Sequence, residues 1–265
     1  NPDDVYYIIA NGLFFPKNND EKDVTKKRKN SFLDFGTVIQ FDKNKNISNN
    51  NKSTEVNKMI FGNYSHKISI TILPYLHYIL IPGIKSGNLT YENFIDFIKT
   101  KSWIGKPHLK YDLSGNGKSI NWIGLITPSI LEFFIQIQGW VSSKYYKPSF
   151  ILCVDSLTLK FEGLLRDFST RMNIPTSVSR TKGMQEVYIN NVLENETIKK
   201  YFNEEDLLLF NYLFSSENGI NLRNNVAHSF YDYKDYNLDK VLLLIAALLR
   251  LGKYDIKIKE KQESN

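Results

Sequence analysis

Residues 237–251 read Asn-Leu-Asp-Lys-Val-Leu-Leu-Leu-Ile-Ala-Ala-Leu-Leu-Arg-Leu, and this stretch sets the expected fold class. Asn237 belongs to the residue types that cap helix N-termini. From Val241 to Leu251 the residues are nearly all apolar, so the helix has no polar face to turn toward water. The stretch therefore predicts a helix that is buried on most sides among other helices.

Three segments upstream share helix signals, either a capping residue at the start or apolar residues repeating at helical spacing. Four such helices with short connections predict a bundle, so we expect a mainly α protein whose residues 126–265 form a helical domain. The three segments are the one that opens at Thr127-Pro128, the one from Ser149 to Met172, and Glu204–Phe214. Asn203 is expected to cap the last of these, and we attribute the acidic residues in its first turn to the helix dipole.

The first 125 residues differ in charge and pattern from the rest. They hold 17 Lys and Arg against 11 Asp and Glu, whereas the remainder holds 17 of each, so the net charge of +6 is wholly N-terminal. Short apolar bursts alternate there with polar tracts. We expect residues 1–125 to be a basic, loop-rich, less regular α+β region of unknown role. A basic surface is typical of nucleic-acid binding, but here it lies outside the half that carries the chemistry.

The number of cysteines and the hydropathy of the chain indicate its location in the cell. The single cysteine, Cys153, excludes an internal disulfide and a cysteine cluster for zinc, and it favours a reducing compartment, so a cytoplasmic location is expected. The longest apolar stretch, Ile68 to Ile84, is interrupted by two prolines and a histidine and barely reaches membrane-spanning length. We interpret it as buried structure and expect no membrane partner.

Two further patterns argue against a cofactor or a metal. Gly117-Lys118-Ser119 resembles the end of a phosphate-binding loop, but Asp112 stands where that loop needs glycine, and its carboxylate would repel phosphate. We therefore interpret Ser114–Ser119 as a turn. Three histidines have no Asp, Glu or His at metal-ligand spacing and are expected to be packed or surface residues, and they are His66, His77 and His108.

The fourth histidine ends the segment Asn221-Leu222-Arg223-Asn224-Asn225-Val226-Ala227-His228. Asn221 is a candidate N-cap, so we expect a short helix to begin here. Leu222 and Val226 are four residues apart and would turn inward together.

Polar residues of this segment form a candidate site. Asn224 and His228 share one face of the short helix, while Arg223 lies about 140° round it and reaches back with a long side chain. A histidine can take the proton of a 2'-hydroxyl, and an arginine offers phosphate two donors in one plane. The set suits metal-independent RNA cleavage. The alternative is a short amphipathic helix whose polar residues are only structural.

The segment also resembles a known family. Arg223 and His228 match the Arg-x4-6-His signature of HEPN domains, and the wider context resembles the DUF4209 family. Phe161–Asp167 resembles that family's helix before the motif, and Asn221–His228 resembles its Asn-Leu-Arg-Asn-x-x-Ala-His-Gly block. The resemblance covers roughly residues 127 to 250. The departure is Ser229, where the family usually has glycine, and serine permits a similar turn unless a positive φ is needed there.

This resemblance implies a function. It makes Arg223 and His228 the catalytic candidates, with Asn224 as the residue that helps to orient them, and it implies a homodimer that brings two motifs together. The leading hypothesis is a metal-independent endoribonuclease that acts on RNA in a toxin or defence role, with a regulatory protein as a further expected partner. The alternative is a non-catalytic HEPN-like module that binds RNA or protein.

Glu162 and Arg166 are the supporting candidates. Being four residues apart, they are expected to pair on one helix face. Either this pairing is only structural, or Glu162 lies beside the motif and orients Arg223 or His228. The arrangement of Arg223 and His228 distinguishes the endoribonuclease from the binding module. If both side chains converge on an accessible cleft, the enzyme is favoured, whereas burial of both against Glu162 and Arg166 favours the binding module.

Overall fold

Helices form most of the chain, which confirms the predicted mainly α class. The computed structural model describes residues 1–17, 52–111, 117–180 and 183–256, and it is 72% helical and 4% strand. The α-helices of the described ranges are α1 Pro2–Tyr7, α2 Lys52–Lys67, α3 Leu73–Lys85, α4 Tyr91–Lys101, α5 Trp122–Ser142, α6 Ile151–Arg171, α7 Ile189–Glu194, α8 Glu196–Tyr201, α9 Glu204–Phe210, α10 Leu222–Ala227 and α11 Leu238–Gly252.

Shorter elements connect and extend these helices. Two antiparallel hairpins supply the strands, and single turns of π-helix continue three of the helices. The hairpins are β1 His108–Tyr111 with β2 Gly117–Ile120 and β3 Ser177–Arg180 with β4 Gly183–Glu186; the π-turns are Ile8–Gly12, Ile68–Ile72 and Asn211–Ser215; the 3-10 turns are Trp103–Gly105 and Tyr233–Asp235. The interpretation of Ser114–Ser119 as a turn is thus wrong for residues 117–119, which pair in β2, and residues 114–116 lie outside the described residues.

The last helix, α11, is the centre of the core. Every residue from Val241 to Gly252 is buried, because α11 packs against α3, α6, α9 and the π-turn that follows α1. The side chain of Asn237 accepts a hydrogen bond from the Lys240 N–H at 3.1 Å, as an N-cap does. The predictions for this helix are confirmed.

Helices α5 and α6 pack side by side and position the candidate site. Ser129 and Ser156 are hydrogen-bonded across the pair at 2.5 Å. A Cβ at Gly163 would lie 2.6 Å from the ring of Trp122, so glycine is required for this close approach. The bounds of α6 agree within two residues with the stretch predicted from Ser149 to Met172.

The start of α5 corrects a prediction. The helix begins at Trp122, and Asn121 caps it by accepting the Gly124 N–H at 3.0 Å. Thr127 lies inside the helix and donates its hydroxyl to the Ile123 carbonyl at 2.7 Å. Pro128 is also interior and exposed, so the carbonyl that it leaves without a helical donor is on the solvent side. A Thr-Pro pair can stand inside a helix, where the threonine hydroxyl donates to the carbonyl four residues earlier, as well as at a helix start. The pair alone therefore does not determine where the helix begins.

Helices α2 and α3 are joined by a π-turn and present one apolar face to solvent. The prediction of a buried stretch therefore holds for one side only, where Ile68, Leu76 and Ile84 are buried, whereas Ile70 and Tyr78 are exposed. By length and composition the helix at 58–85 is able to cross a membrane, and 28% of its most apolar window is buried. The expectation of no membrane partner stays a prediction.

Residues from both sides of position 125 share one hydrophobic cluster. The Leu13 carbonyl accepts a hydrogen bond from Arg250 Nη1 at 2.8 Å, and the guanidinium of Arg250 lies 4.7 Å from the centroid of the Phe15 ring. The described part of 1–125 contributes residues of α1 to α4 to this core, and Ile120 at the end of β2 packs against it. The division into 1–125 and 126–265 stays a prediction, as does the α+β character of the first part.

A buried ionic cluster surrounds Arg250, whose side chain is 1% exposed. Its Nε donates to fully buried Asp206, and its Nη2 donates to Glu205 Oε2 at 3.1 Å. Lys253 Nζ lies 2.8 Å from Asp206 Oδ2, and the Tyr254 hydroxyl donates to the same carboxylate. Burial lowers the pKa of Lys253, although Asp206 opposes that shift, and burial raises the pKa of Tyr254 far above its ordinary value.

The prediction that Asn203 caps α9 is wrong, because Asn203 takes part in this cluster instead. Its side chain makes no capping hydrogen bond to α9; instead its backbone N–H donates to the Tyr254 hydroxyl at 3.0 Å. The acidic first turn of α9 was attributed to the helix dipole, but Glu205 and Asp206 are partners of Arg250. The helix itself begins at Glu204 and continues through the π-turn at Asn211–Ser215, as predicted.

Candidate functional site

The helix that carries the motif, α10, begins with a left-handed residue. Asn221 has φ 51° and ψ 45° and makes no side-chain capping hydrogen bond, so the prediction of an Asn221 N-cap is wrong. Asparagine tolerates this conformation better than most residues. The start of α10 is fixed instead by Asn225, whose Nδ2 donates to the Ile220 carbonyl at 2.9 Å. Leu222 is fully buried and Val226 packs against the core, which confirms that both turn inward.

The end of α10 is a Schellman turn built around Ser229. The Phe230 N–H donates to the Asn225 carbonyl at 2.8 Å, and the Ser229 N–H donates to the Val226 carbonyl at 3.2 Å. Ser229 has φ 55°, in the region that glycine adopts without strain. A positive φ is thus needed at the position where this chain has serine and the DUF4209 pattern has glycine.

We expect Ser229→Gly to raise the free energy of unfolding by about 1 kcal/mol, because it removes the strain of a left-handed L-residue. Ser229 is exposed and its side chain is not part of the turn, so little contact is lost. Urea denaturation measures the change. Ser229→Ala is the matched control, since alanine keeps the strain. A glycine variant no more stable than the alanine variant would show that the turn stores no strain.

Arg223 is held by a carboxylate from another helix. Its Nε donates to Glu162 Oε2 at 3.2 Å, and its Cζ lies 5.8 Å from the centroid of the Tyr188 ring. The Glu162 side chain is 8% exposed and that of Arg223 is 26% exposed. The guanidinium therefore sits at the surface on a largely buried counterion. The hypothesis that Glu162 lies beside the motif agrees with this geometry.

Glu162 binds two arginines at once. Its Oε1 accepts from Arg166 Nη2 at 2.7 Å while its Oε2 accepts from Arg223, which confirms the expected pairing of Glu162 with Arg166. Arg166 Nη2 also donates to the Val187 carbonyl at 2.9 Å, and Arg166 Nε lies 3.7 Å from Glu186 Oε2. The carboxylate is fixed on both oxygens, so the orientation of Arg223 is fixed as well.

His228 is exposed at the C-terminal end of α10. Its ring stacks on Phe230 with centroids 5.4 Å apart and planes 28° apart, and its backbone N–H donates to the Asn224 carbonyl at 3.1 Å. Within the described residues the structure gives no contact between the side chains of His228 and Arg223. Two cavities in those ranges, of about 490 and 310 Å³, are lined by other residues. The expectation that Arg223, Asn224 and His228 face one cavity is not confirmed.

Charge and ligand type limit what this surface can bind. Arg223 and Arg166 share the largely buried carboxylate of Glu162, and the exposed Glu186 lies 3.7 Å from Arg166, so two carboxylates balance the two arginines. What favours an anion is the pair of terminal nitrogens of Arg223, for which the described residues supply no acidic partner. Within the described ranges no three His, Cys, Asp or Glu side chains lie together as metal ligands. Metal independence stays a prediction that a chelator tests.

Local spacing in the sequence did not reveal several side-chain contacts, some in the site and one outside it. Tyr188 lies 35 residues before Arg223 in the sequence, and no spacing rule joins them. His77, assigned no acidic partner, has its Nε2 2.8 Å from Asp239 Oδ1, across 162 residues. Phe230 was detectable, because an aromatic residue two positions after a catalytic candidate is near it in any conformation.

The single cysteine is not part of the site. Cys153 is fully buried in α6, and burial raises the pKa of its thiol to about 12. A thiol with such a pKa stays protonated at neutral pH and is a poor nucleophile. Cys153 acts as a core residue.

Comparisons with protein-family models, with curated proteins and with solved structures give no match, so the resemblance to HEPN and DUF4209 proteins stays a prediction.

Proposed function

We propose that this chain is a metal-independent endoribonuclease whose catalytic residues Arg223, Asn224 and His228 lie on the surface of α10. The observation that supports the proposal is the fixed position of Arg223. Glu162 occupies only its Nε among the described residues, which leaves the two terminal nitrogens for a phosphate. A cytoplasmic toxin or defence role belongs to the same proposal.

The chemistry follows from these side chains. His228 takes the proton of a ribose 2'-hydroxyl, and the 2'-oxygen attacks the adjacent phosphorus. The bond from phosphorus to the 5'-oxygen breaks, and that oxygen takes a proton from water as it leaves. One product ends in a 2',3'-cyclic phosphate and the other begins with a 5'-hydroxyl. Arg223 stabilises the negative charge that gathers on the non-bridging oxygens.

Glu162 and Arg166 act in this proposal as positioning residues. A buried carboxylate paired with Arg223 alone would cancel the charge that phosphate requires. Because Arg166 also pairs with Glu162 at 2.7 Å, only part of the charge of that carboxylate acts on Arg223, and Glu186 beside Arg166 is exposed and screened by water. Orientation matters because a planar guanidinium binds phosphate through two donors in fixed geometry.

The proposal includes a two-fold dimer. Since Arg223 lies against Glu162 and His228 lies at the other end of α10, a second copy is needed to bring both groups to one phosphate. Helix α11 is wholly buried and cannot form the interface. Leu152 and Leu159 are exposed seven residues apart on α6, and Leu159 is one turn from Glu162. We place the dimer contact on this stripe.

Incubation of the purified protein with total RNA in EDTA tests the function. We expect cleavage without added metal, with 2',3'-cyclic phosphate ends, because the nucleophile belongs to the substrate. Ligation by an enzyme that requires cyclic phosphate ends identifies the product. Cleavage that disappears in EDTA and returns with magnesium would contradict the proposal.

A non-catalytic RNA-binding module is the second candidate, and the separation of Arg223 from His228 favours it. Arg223→Lys distinguishes the two, because lysine keeps the charge and lacks the planar fork. If the chain is a nuclease, cleavage falls sharply while sedimentation still shows a dimer. If it only binds RNA, the wild type retains RNA without producing new ends.

A further inference from the structure

Two exposed aromatic rings flank the motif. Phe230 is 47% exposed and Tyr188 is 54% exposed, and each lies against one of the catalytic candidates. Phe230 stacks with His228, and Tyr188 lies under the guanidinium of Arg223. The sites of proton transfer and phosphate binding are therefore each bordered by a π-face.

Packing does not explain these two rings. The hydrophobic core takes in Val187 and Tyr231, which are the chain neighbours of Tyr188 and Phe230, but neither Tyr188 nor Phe230 belongs to it. Rings outside the core leave apolar surface in water and gain nothing from burial. Such exposed rings beside a phosphate-binding cation are typical of surfaces that bind single-stranded nucleic acid.

The backbone holds both rings in place. The Phe230 N–H is bonded to the Asn225 carbonyl at 2.8 Å in the turn that ends α10. Tyr188 immediately precedes α7, and the carbonyl of its neighbour Val187 accepts a hydrogen bond from Arg166 at 2.9 Å. Rings on fixed backbone can bind a flat ligand without first being ordered.

RNA cleavage by the proposed mechanism exposes flat, unstacked bases that these rings can bind. Attack by the 2'-oxygen requires the phosphorus to lie in line between the attacking and leaving oxygens, a geometry that stacked helical RNA does not provide. The two nucleotides beside the cleaved bond must therefore swing apart, and their bases lose their stacking partners. Stacking of a base on an aromatic side chain returns roughly 1–3 kcal/mol.

We infer that Phe230 and Tyr188 are base-binding positions on the two sides of the cleaved phosphate, Phe230 for the base next to His228 and Tyr188 for the base next to Arg223. The inference rests on the proposed function, since it takes RNA as the ligand. Both positions bind through a π-face, so they accept unpaired bases of any identity and exclude bases held in a duplex.

Fluorescence anisotropy with a labelled single-stranded RNA decamer that carries 2'-fluoro groups tests the inference. The oligonucleotide has no attacking hydroxyl, so binding is measured without cleavage. We expect Phe230→Ala and Tyr188→Ala each to weaken binding about 5- to 100-fold, which corresponds to the loss of one stacked base. Phe230→Trp should restore binding, because tryptophan offers a larger π-face. The same decamer in a duplex should bind weakly and equally to all variants.

Tyr145→Ala is the matched control, because Tyr145 is an exposed tyrosine in the connection between α5 and α6. It should bind the decamer as the wild type does. Thermal unfolding confirms that each variant is folded. Binding unchanged in both alanine variants, or absent in the wild type, would overturn the inference. Cleavage is scored separately with ordinary RNA, so an aromatic-dependent binder that never cleaves RNA would support the inference while refuting the nuclease.

Discussion

Replacing His228 by alanine is expected to lower the rate of RNA cleavage by roughly 10²–10⁴-fold, the usual effect of losing a general base. The imidazole is exposed and, among the residues that the structure describes, stacks only on Phe230, so its removal should leave the core and the Glu162–Arg223 pair unchanged. The variant should therefore keep the wild-type melting temperature. Single-turnover cleavage of a labelled RNA in EDTA measures the rate.

His66→Ala is the matched control for this experiment. His66 is also an exposed histidine, but it lies on α2 and outside the motif. Its removal should leave the rate unchanged. Equal rates for wild type and His228→Ala would exclude His228 as the base, and equal losses in the two variants would indicate a general effect of removing a surface histidine.

The second large effect concerns stability. Asp206→Ala is expected to lower the free energy of unfolding by about 3–5 kcal/mol, the range for breaking a buried ion pair from one side. Asp206 is fully buried and contacts Arg250, Lys253 and Tyr254. Its loss leaves Arg250 in the core with Glu205 as its remaining acidic partner. Because domains are typically stable by only about 5–15 kcal/mol, the change should be large in a denaturant titration.

An exposed ion pair provides the comparison. Glu196 Oε1 and Lys199 Nζ are 2.7 Å apart on α8, and the side chain of Glu196 is 83% exposed. Glu196→Ala should therefore leave the unfolding midpoint unchanged within error. If Asp206→Ala unfolds at the same denaturant concentration as Glu196→Ala, the buried cluster contributes nothing to stability.

Long apolar helices were the part of the fold that the sequence predicted well. The bounds of α6 and the burial of α11 follow from hydrophobic pattern alone, because a segment such as Val241–Leu251 has no state in water that avoids exposing apolar surface. The burial of such a segment can be predicted from its own composition, without knowledge of the helices that it packs against.

Helix ends were predicted less well, because several residue types serve more than one local purpose. Asn121, Asn203 and Asn221 all precede helices, yet only Asn121 caps with its side chain. Asn221 instead takes a left-handed conformation, and Asn203 binds Tyr254 through its backbone. The choice among these states depends on tertiary neighbours that no local pattern specifies.

The sequence indicated which residues belong to the candidate site but not how their side chains are arranged. Spacing places Arg223 and His228 in one short segment, and one of the two hypotheses for Glu162 was that it lies beside the motif, 61 residues away from Arg223. The direction of the Arg223 side chain follows from contacts with Glu162 and Tyr188, which only the folded chain brings together. The expectation of one shared cavity assumed that both side chains turn the same way.

The hydrogen bond from Arg250 to the Leu13 carbonyl joins residues 237 positions apart and so affects the order of folding. Closing a loop of that length costs roughly 5 kcal/mol of chain entropy before the contact forms. A ribosome releases Leu13 long before Arg250, so the amino-terminal segment lacks its contacts with α11 during most of synthesis. Ile9 and Phe15, which are buried in the finished core, are without the cover of α11 for that time. Exposed apolar surface of this kind is prone to aggregation until the last helix docks.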